Sequence, residues 1–145
     1  MIAVEISVTV DAHGPVFDGA IPGIMEAYQY HITESLGDIA VNLIKAYLPT
    51  VYKYPHDPAS LHGTKHFIPG LYVSDIHTDR ASVDLNLVHD TPVVYGPWLE
   101  GVGSQNATTR FKGYHTFRKI AQQLDVEAGG IANAEIQPYI AEMNA

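Results

Sequence analysis

The chain opens on strict alternation. Between Ile2 and Val10 every even position is apolar (Ile2, Val4, Ile6, Val8, Val10), and the odd ones carry Ala3, Glu5, Ser7 and Thr9. A period of two puts each set of side chains on one face of an extended segment, so this stretch reads as a half-buried strand. The period then changes. After the turn-rich DAHGPVFDGAIPG, the residues Met25, Tyr28, Ile32, Leu36, Ile39, Leu43 and Tyr47 recur at spacings of three and four and lay an apolar stripe along a helix. Pro22 suits the first helical turn, where a missing N–H costs nothing, and Pro49 is expected to stop the helix after Leu48. Such a helix is roughly 40 Å long. A compact chain of this size is about 38 Å across, so the helix spans the domain unless Gly37 breaks it.

No period holds from Pro49 to Phe67, which reads as a long loop or arm (49–67). Strand patterns resume at Leu71 to Thr78 and at Ser82 to Val88, the second with Val83, Leu85 and Leu87 on one face and Ser82, Asp84 and Asn86 on the other. Val93 to Tyr95 can pair back as a third short strand. From about Tyr114, the residues Phe117, Ile120, Ala121 and Leu124 mark a second amphipathic helix that Gly129 and Gly130 end or kink. Ile136, Ile140 and Met143 carry a final helical segment. This order predicts a single α+β domain over residues 1–145, with a mostly antiparallel sheet packed against the long helix of the N-terminal half and a C-terminal helix.

Composition narrows the classes. Hydrophobic residues make up 46% and charged ones 17%, which is globular composition. Sixteen acids against eight Lys and Arg give a formal charge of −8, the wrong sign for gripping nucleic acid through its phosphates. There is no cysteine, hence no disulfide framework and no thiolate ligand or nucleophile. No apolar run is long enough for a membrane span, and MIAVEISV lacks the features of a signal peptide, so a soluble protein made in a cytoplasm is expected.

The candidate chemistry is thin. His56, His62 and His66, with Asp57 nearby, are the right types for zinc or a facial-triad iron, but their spacing matches no H-E-x-x-H helix. Hydrogen-bonded or solvent-facing histidines are the expected reading. Ser104 lacks a G-x-S-x-G elbow, and GVGS lacks both the spacing and the lysine of a phosphate loop. Asp75, Asp79, Asp84, Asp90 and Glu100 are spread out as solvated acids, with nothing to mark a catalytic pair. Arg110, Lys112, Arg118 and Lys119, interleaved with Phe111, Tyr114 and Phe117, form a basic cluster in an acidic chain. That arrangement suits contact with an acidic neighbouring subunit. Trp98 is either a plug for its own core or an interface anchor.

VVYGPWLEGVGS followed by RFKGYHTFRKIAQQL resembles the neck and tail-completion family of long-tailed bacteriophages, small proteins of the head-tail connector. Tyr95, Trp98, Leu99, Glu100, Gly101 and Gly103 carry the likeness in the loop, and Arg110, Phe111, Gly113, Tyr114 and Phe117 carry it into the next helix. The resemblance implies a structural virion protein without catalysis, assembled in the host cytoplasm and located at the head-tail junction. There it would form a homo-oligomeric ring, a hexamer by this resemblance, around the DNA channel between portal and tail tube. Its partners would be the adjacent neck and tail-tube proteins and DNA passing without sequence-specific binding, with no membrane, cofactor or metal. The interface residues implied are Tyr95, Trp98, Leu99, Glu100, Gly101, Gly103, Arg110, Phe111, Tyr114 and Arg118, in and just beyond a 96–113 loop. Two alternatives stand beside this one: a small metal-dependent enzyme using His56, His62 and His66, and a non-catalytic protein-binding module.

Overall fold

Three strands make one antiparallel sheet in the order β1-β3-β2, with β1 at Glu5–Thr9, β2 at His77–Ser82 and β3 at Leu85–His89. The computed structural model describes residues 5–10, 21–51, 72–73, 75–90 and 96–143. Ile6 faces Val88 across the β1/β3 ladder, and both are buried. Asn86 shares their face, whereas Leu85, Leu87 and His89 alternate onto the other. The α+β architecture is the one the hydrophobic periods predict.

The boundaries differ in informative ways. Tyr72, Val73 and Asp75 are helical, so the segment Leu71 to Thr78 is not one strand. Tyr72 and Ile76, four apart and both buried, fit a helical turn better than an alternating strand. Ser82 to Val88 is likewise divided: Ser82 ends β2, Val83 and Asp84 turn, and Leu85 starts β3. Asn86 lies on the core face rather than the polar one, where its Nδ2 donates to the Thr33 carbonyl at 3.4 Å. The 93–95 strand and positions 52–67 of the expected arm fall outside the described residues.

Helix α1 runs from Pro22 to Val51, about 45 Å at 1.5 Å per residue. Pro49 lies inside it instead of ending it. In the last turn a proline removes a single intrahelical bond and has little helix left to disrupt. Gly37 does not break the helix either. A Cβ there would stand 2.6 Å from Asn86 Nδ2 and 3.1 Å from Thr78 Cγ2, so the glycine is what lets α1 cross close to the sheet. This crossing also shifts the buried stripe. Beyond Leu36 it follows Ala40, Ile44 and Leu48, while Ile39, Leu43 and Tyr47 flank the core half-buried.

Two short helices follow the sheet, α2 at Gly96–Glu100 and α3 at Gln105–Thr108. Helix α4 then spans Thr116–Glu135, straight through Gly129 and Gly130, and α5 spans Gln137–Met143. The first half of α4 buries Phe117, Ile120 and Leu124 in the core shared with the sheet. Its second half is held to the start of α1 by a cluster of Met25, Tyr28, Ile32 and Leu36 with Ala128, Ile131 and Ala132. Polar ties reinforce that contact: the Tyr28 hydroxyl donates to the Ala132 carbonyl at 3.0 Å, and Ser35 Oγ donates to Glu135 at 2.7 Å. These anchors outweigh the cost of about 1 kcal/mol that each mid-helix glycine carries. Among the described residues no helix is long and apolar enough to cross a membrane.

Candidate functional site: the segment from Gly96 to Arg118

The segment is locked by its own backbone. The Pro97 carbonyl accepts N–H bonds from Gly101, Val102 and Gly103 at 2.9 to 3.0 Å, curling the chain back over α2. Further on, the chain returns alongside: the Tyr114 amide donates to the Leu99 carbonyl at 2.6 Å and the His115 amide to that of Glu100 at 3.2 Å. The two passes touch at Gly101 (φ +100°) and Gly113 (φ +91°). A Cβ on Gly113 would overlap the Gly101 backbone, and one on Gly101 the Lys112 carbonyl. Both the left-handed conformation and the close approach therefore require glycine.

Asn106 ties the loop internally. Buried in α3, its Nδ2 donates to the carbonyls of Trp98 at 2.9 Å and Phe111 at 3.2 Å, and its Oδ1 accepts from the Gly103 amide at 3.0 Å. Lys112 Nζ donates to the Asn106 carbonyl at 2.7 Å, placing a cation near the C-terminal end of α3. Above this frame Trp98 and Phe111 are 4.6 Å apart, and Phe111 meets Tyr114 edge-on at 5.0 Å. All three rings are half-buried, a packed aromatic row rather than free side chains.

Glu100 is the chemical centre of the segment. Only 5% exposed, it accepts the Phe117 amide at 3.0 Å on Oε2 and the Arg118 amide at 3.1 Å on Oε1. These are among the orphan N–H groups at the start of α4, so a carboxylate from α2 caps a helix that lies well beyond it in sequence. His115, left-handed at φ 54°, is the residue before that helix and makes no side-chain cap of its own. Burial pushes the Glu100 carboxyl above its ordinary range, opposed by the backbone donors of Phe117 and Arg118 and by His115.

Among the exposed positions of the segment, which include Ser104, Gln105, Thr108 and Thr109, are Val102, 48% exposed, and the cations Arg110 and Arg118. Neither guanidinium has a hydrogen-bond or ion-pair partner among the described residues. Val102 and Arg118 also rim a depression of about 350 Å³ whose walls include Glu5, Ile6, Phe117 and Glu100. A second groove, of about 440 Å³, runs on between β1 and α4 past Ser7, Leu36, Leu124 and Ala128.

The structure thus gathers Trp98, Gly101, Gly103, Phe111 and Tyr114 into one unit. It turns Leu99 and Glu100 inward and leaves Arg110 and Arg118 outward. Tyr95 lies outside the described residues, as do His56, His62 and His66. Two of the acids expected to be solvated, Asp90 and Glu100, are buried. For Glu100 the reason is the capping of α4. Sequence reasoning did not single out Asn106, because a buried polar residue in an irregular segment has no period to reveal it. The set of His77, Asp79 and His89 on the outer face of the sheet was missed for another reason: strand pairing, not sequence spacing, brings them together. Compared with protein-family models, curated proteins and solved structures, the chain finds no match in any of the three.

Proposed function

We propose that the protein is a structural subunit of the neck of a long-tailed phage particle, forming a homo-oligomeric ring that joins the head to the tail tube around the DNA channel. The observation that carries this reading is the division of labour within the segment from Gly96 to Arg118. Its glycines, Asn106 and Glu100 are consumed in making a rigid platform, and Val102 and the guanidinium groups of Arg110 and Arg118, which have no partner among the described residues, are presented to the outside. A rigid loop loses little entropy on docking, and Arg is enriched at interface hot spots. On a chain of net charge −8, the natural complement of Arg110 and Arg118 is the acidic body of the next subunit, the head-to-tail contact that closes a ring. Net acidity also suits a channel through which DNA phosphates must slide without sticking.

The non-catalytic reading draws support from Glu100, the buried carboxylate of the segment, whose oxygens are both engaged in capping backbone amides. Arg110→Ala combined with Arg118→Ala provides the test. Both side chains are exposed, so the variant should unfold at the wild-type denaturant concentration yet fail to join neck assemblies reconstituted from portal and tail-tube components. Wild-type incorporation by the double variant would contradict the interface assignment.

A further inference from the structure

The antiparallel ladder sets His77 of β2 directly opposite His89 of β3. Asp79, two residues along β2, stands on the same face because strand side chains alternate. The two imidazole rings are 4.4 Å apart. Each is fixed through its Nδ1, which lies 2.6 Å from the Asp75 carbonyl oxygen in His77 and 2.9 Å from that of Asp90 in His89. A carbonyl oxygen can only accept, so each Nδ1 carries the hydrogen and each neutral ring keeps its lone pair at Nε2. Both Nε2 atoms approach the same Asp79 oxygen, at 2.7 Å from His89 and 3.5 Å from His77.

With both rings neutral and carrying their hydrogen at Nδ1, three acceptor atoms lie within 4.8 Å of one another, an arrangement that suits a cation. Arg80, the neighbour of Asp79, does not serve. Its guanidinium is drawn to α1, donating to Thr33 Oγ1 and the Tyr30 carbonyl and lying over the Tyr30 ring. A metal ion satisfies all three ligands together.

We propose that His77, Asp79 and His89 bind a divalent first-row transition metal ion, zinc or a close neighbour. Imidazole and carboxylate without thiolate is a ligand set for such ions, and three protein ligands leave a coordination position open. Histidine ligands held through their second nitrogen by a carbonyl are the usual outer arrangement of such sites. Bonds of about 2.0 to 2.1 Å in a tetrahedron separate ligand atoms by about 3.3 Å. The 3.5 Å pair already fits, and the 2.7 Å pair has to open by roughly 0.6 Å. Asp79, whose side chain is 65% exposed, is free to make that rotation, whereas the His89 side chain is 19% exposed and held. The site lies at the end of the β2/β3 hairpin away from its Val83–Asp84 turn, so the ion would clamp the open end of the hairpin. Glu5, paired with His89 on the other side, extends the same face with one more carboxylate.

Isothermal titration of the chelator-treated full chain with zinc chloride, and with cobalt chloride followed by its visible absorption, tests the site. One ion per chain is expected. Asp79→Asn and His89→Ala should each weaken binding at least tenfold. The triple variant His56→Ala, His62→Ala, His66→Ala should bind as the wild type does. Asp79→Asn is the decisive variant because so exposed a side chain can change without unfolding the chain. Absence of stoichiometric binding overturns the proposal, as does binding that survives Asp79→Asn and His89→Ala and disappears in the triple variant.

Discussion

Glu100 carries opposed demands within one side chain. Its charge is wanted by the first amides of α4 and penalised by burial, and burial wins, so the folded state holds its proton more tightly than the unfolded chain does. A folded value raised above the ordinary 4.5 means a stability contribution present below 4.5 and lost as the pH rises through the folded value. Urea unfolding of the wild type and Glu100→Gln from pH 4.5 upward should therefore show the wild type losing stability relative to the variant. A pH-independent difference would contradict this. The stretch that holds Glu100 was legible as a unit, because Trp98, the glycines and the Arg and aromatic run crowd together in sequence. Its inner logic was not. The partners of Glu100 lie 17 and 18 residues away across an irregular loop, and only the closed loop shows that its carboxylate points inward.

Among the elements, hydrophobic period identified β1, α1 and α4 because each buries one face and turns the other outward. It misplaced the ends wherever a neighbouring element decided them. Gly37 is the clearest case: a weak point by propensity, it is the point of closest approach to Asn86 and Thr78. Gly129 and Gly130 are its opposite, since a methyl group added at either would meet nothing within 4 Å. The same substitution should therefore act with opposite signs. Gly129→Ala and Gly130→Ala should each stabilise by about 1 kcal/mol, the propensity difference alone. Gly37→Ala should destabilise by about 1 to 3 kcal/mol, because the added methyl overpacks the helix-sheet contact. Thermal unfolding of the three variants checks this. A stabilised Gly37→Ala would mean that α1 and the sheet are not in close contact there. The divided 71–78 and 82–88 segments teach the same lesson, since short apolar runs satisfy a strand, a turn or a helical turn equally until the core selects one.

A chain of net charge −8 carries a small hydrogen-bonded platform with two arginines whose guanidinium groups have no partner among the described residues. Charge, the absence of cysteine and the α+β order were all readable from sequence. The arrangement of the platform needed the fold, because it rests on contacts between passes of the chain that no local pattern encodes. The proposed function requires these subunits to close into a ring. Native mass spectrometry of the purified chain over a range of concentrations, alone and with portal and tail-tube components, measures this most directly. The expected result is one closed multiple of the 15.8 kDa subunit, with or without bound metal, either spontaneously or on addition of those components. A chain that stays monomeric under every one of these conditions would contradict it.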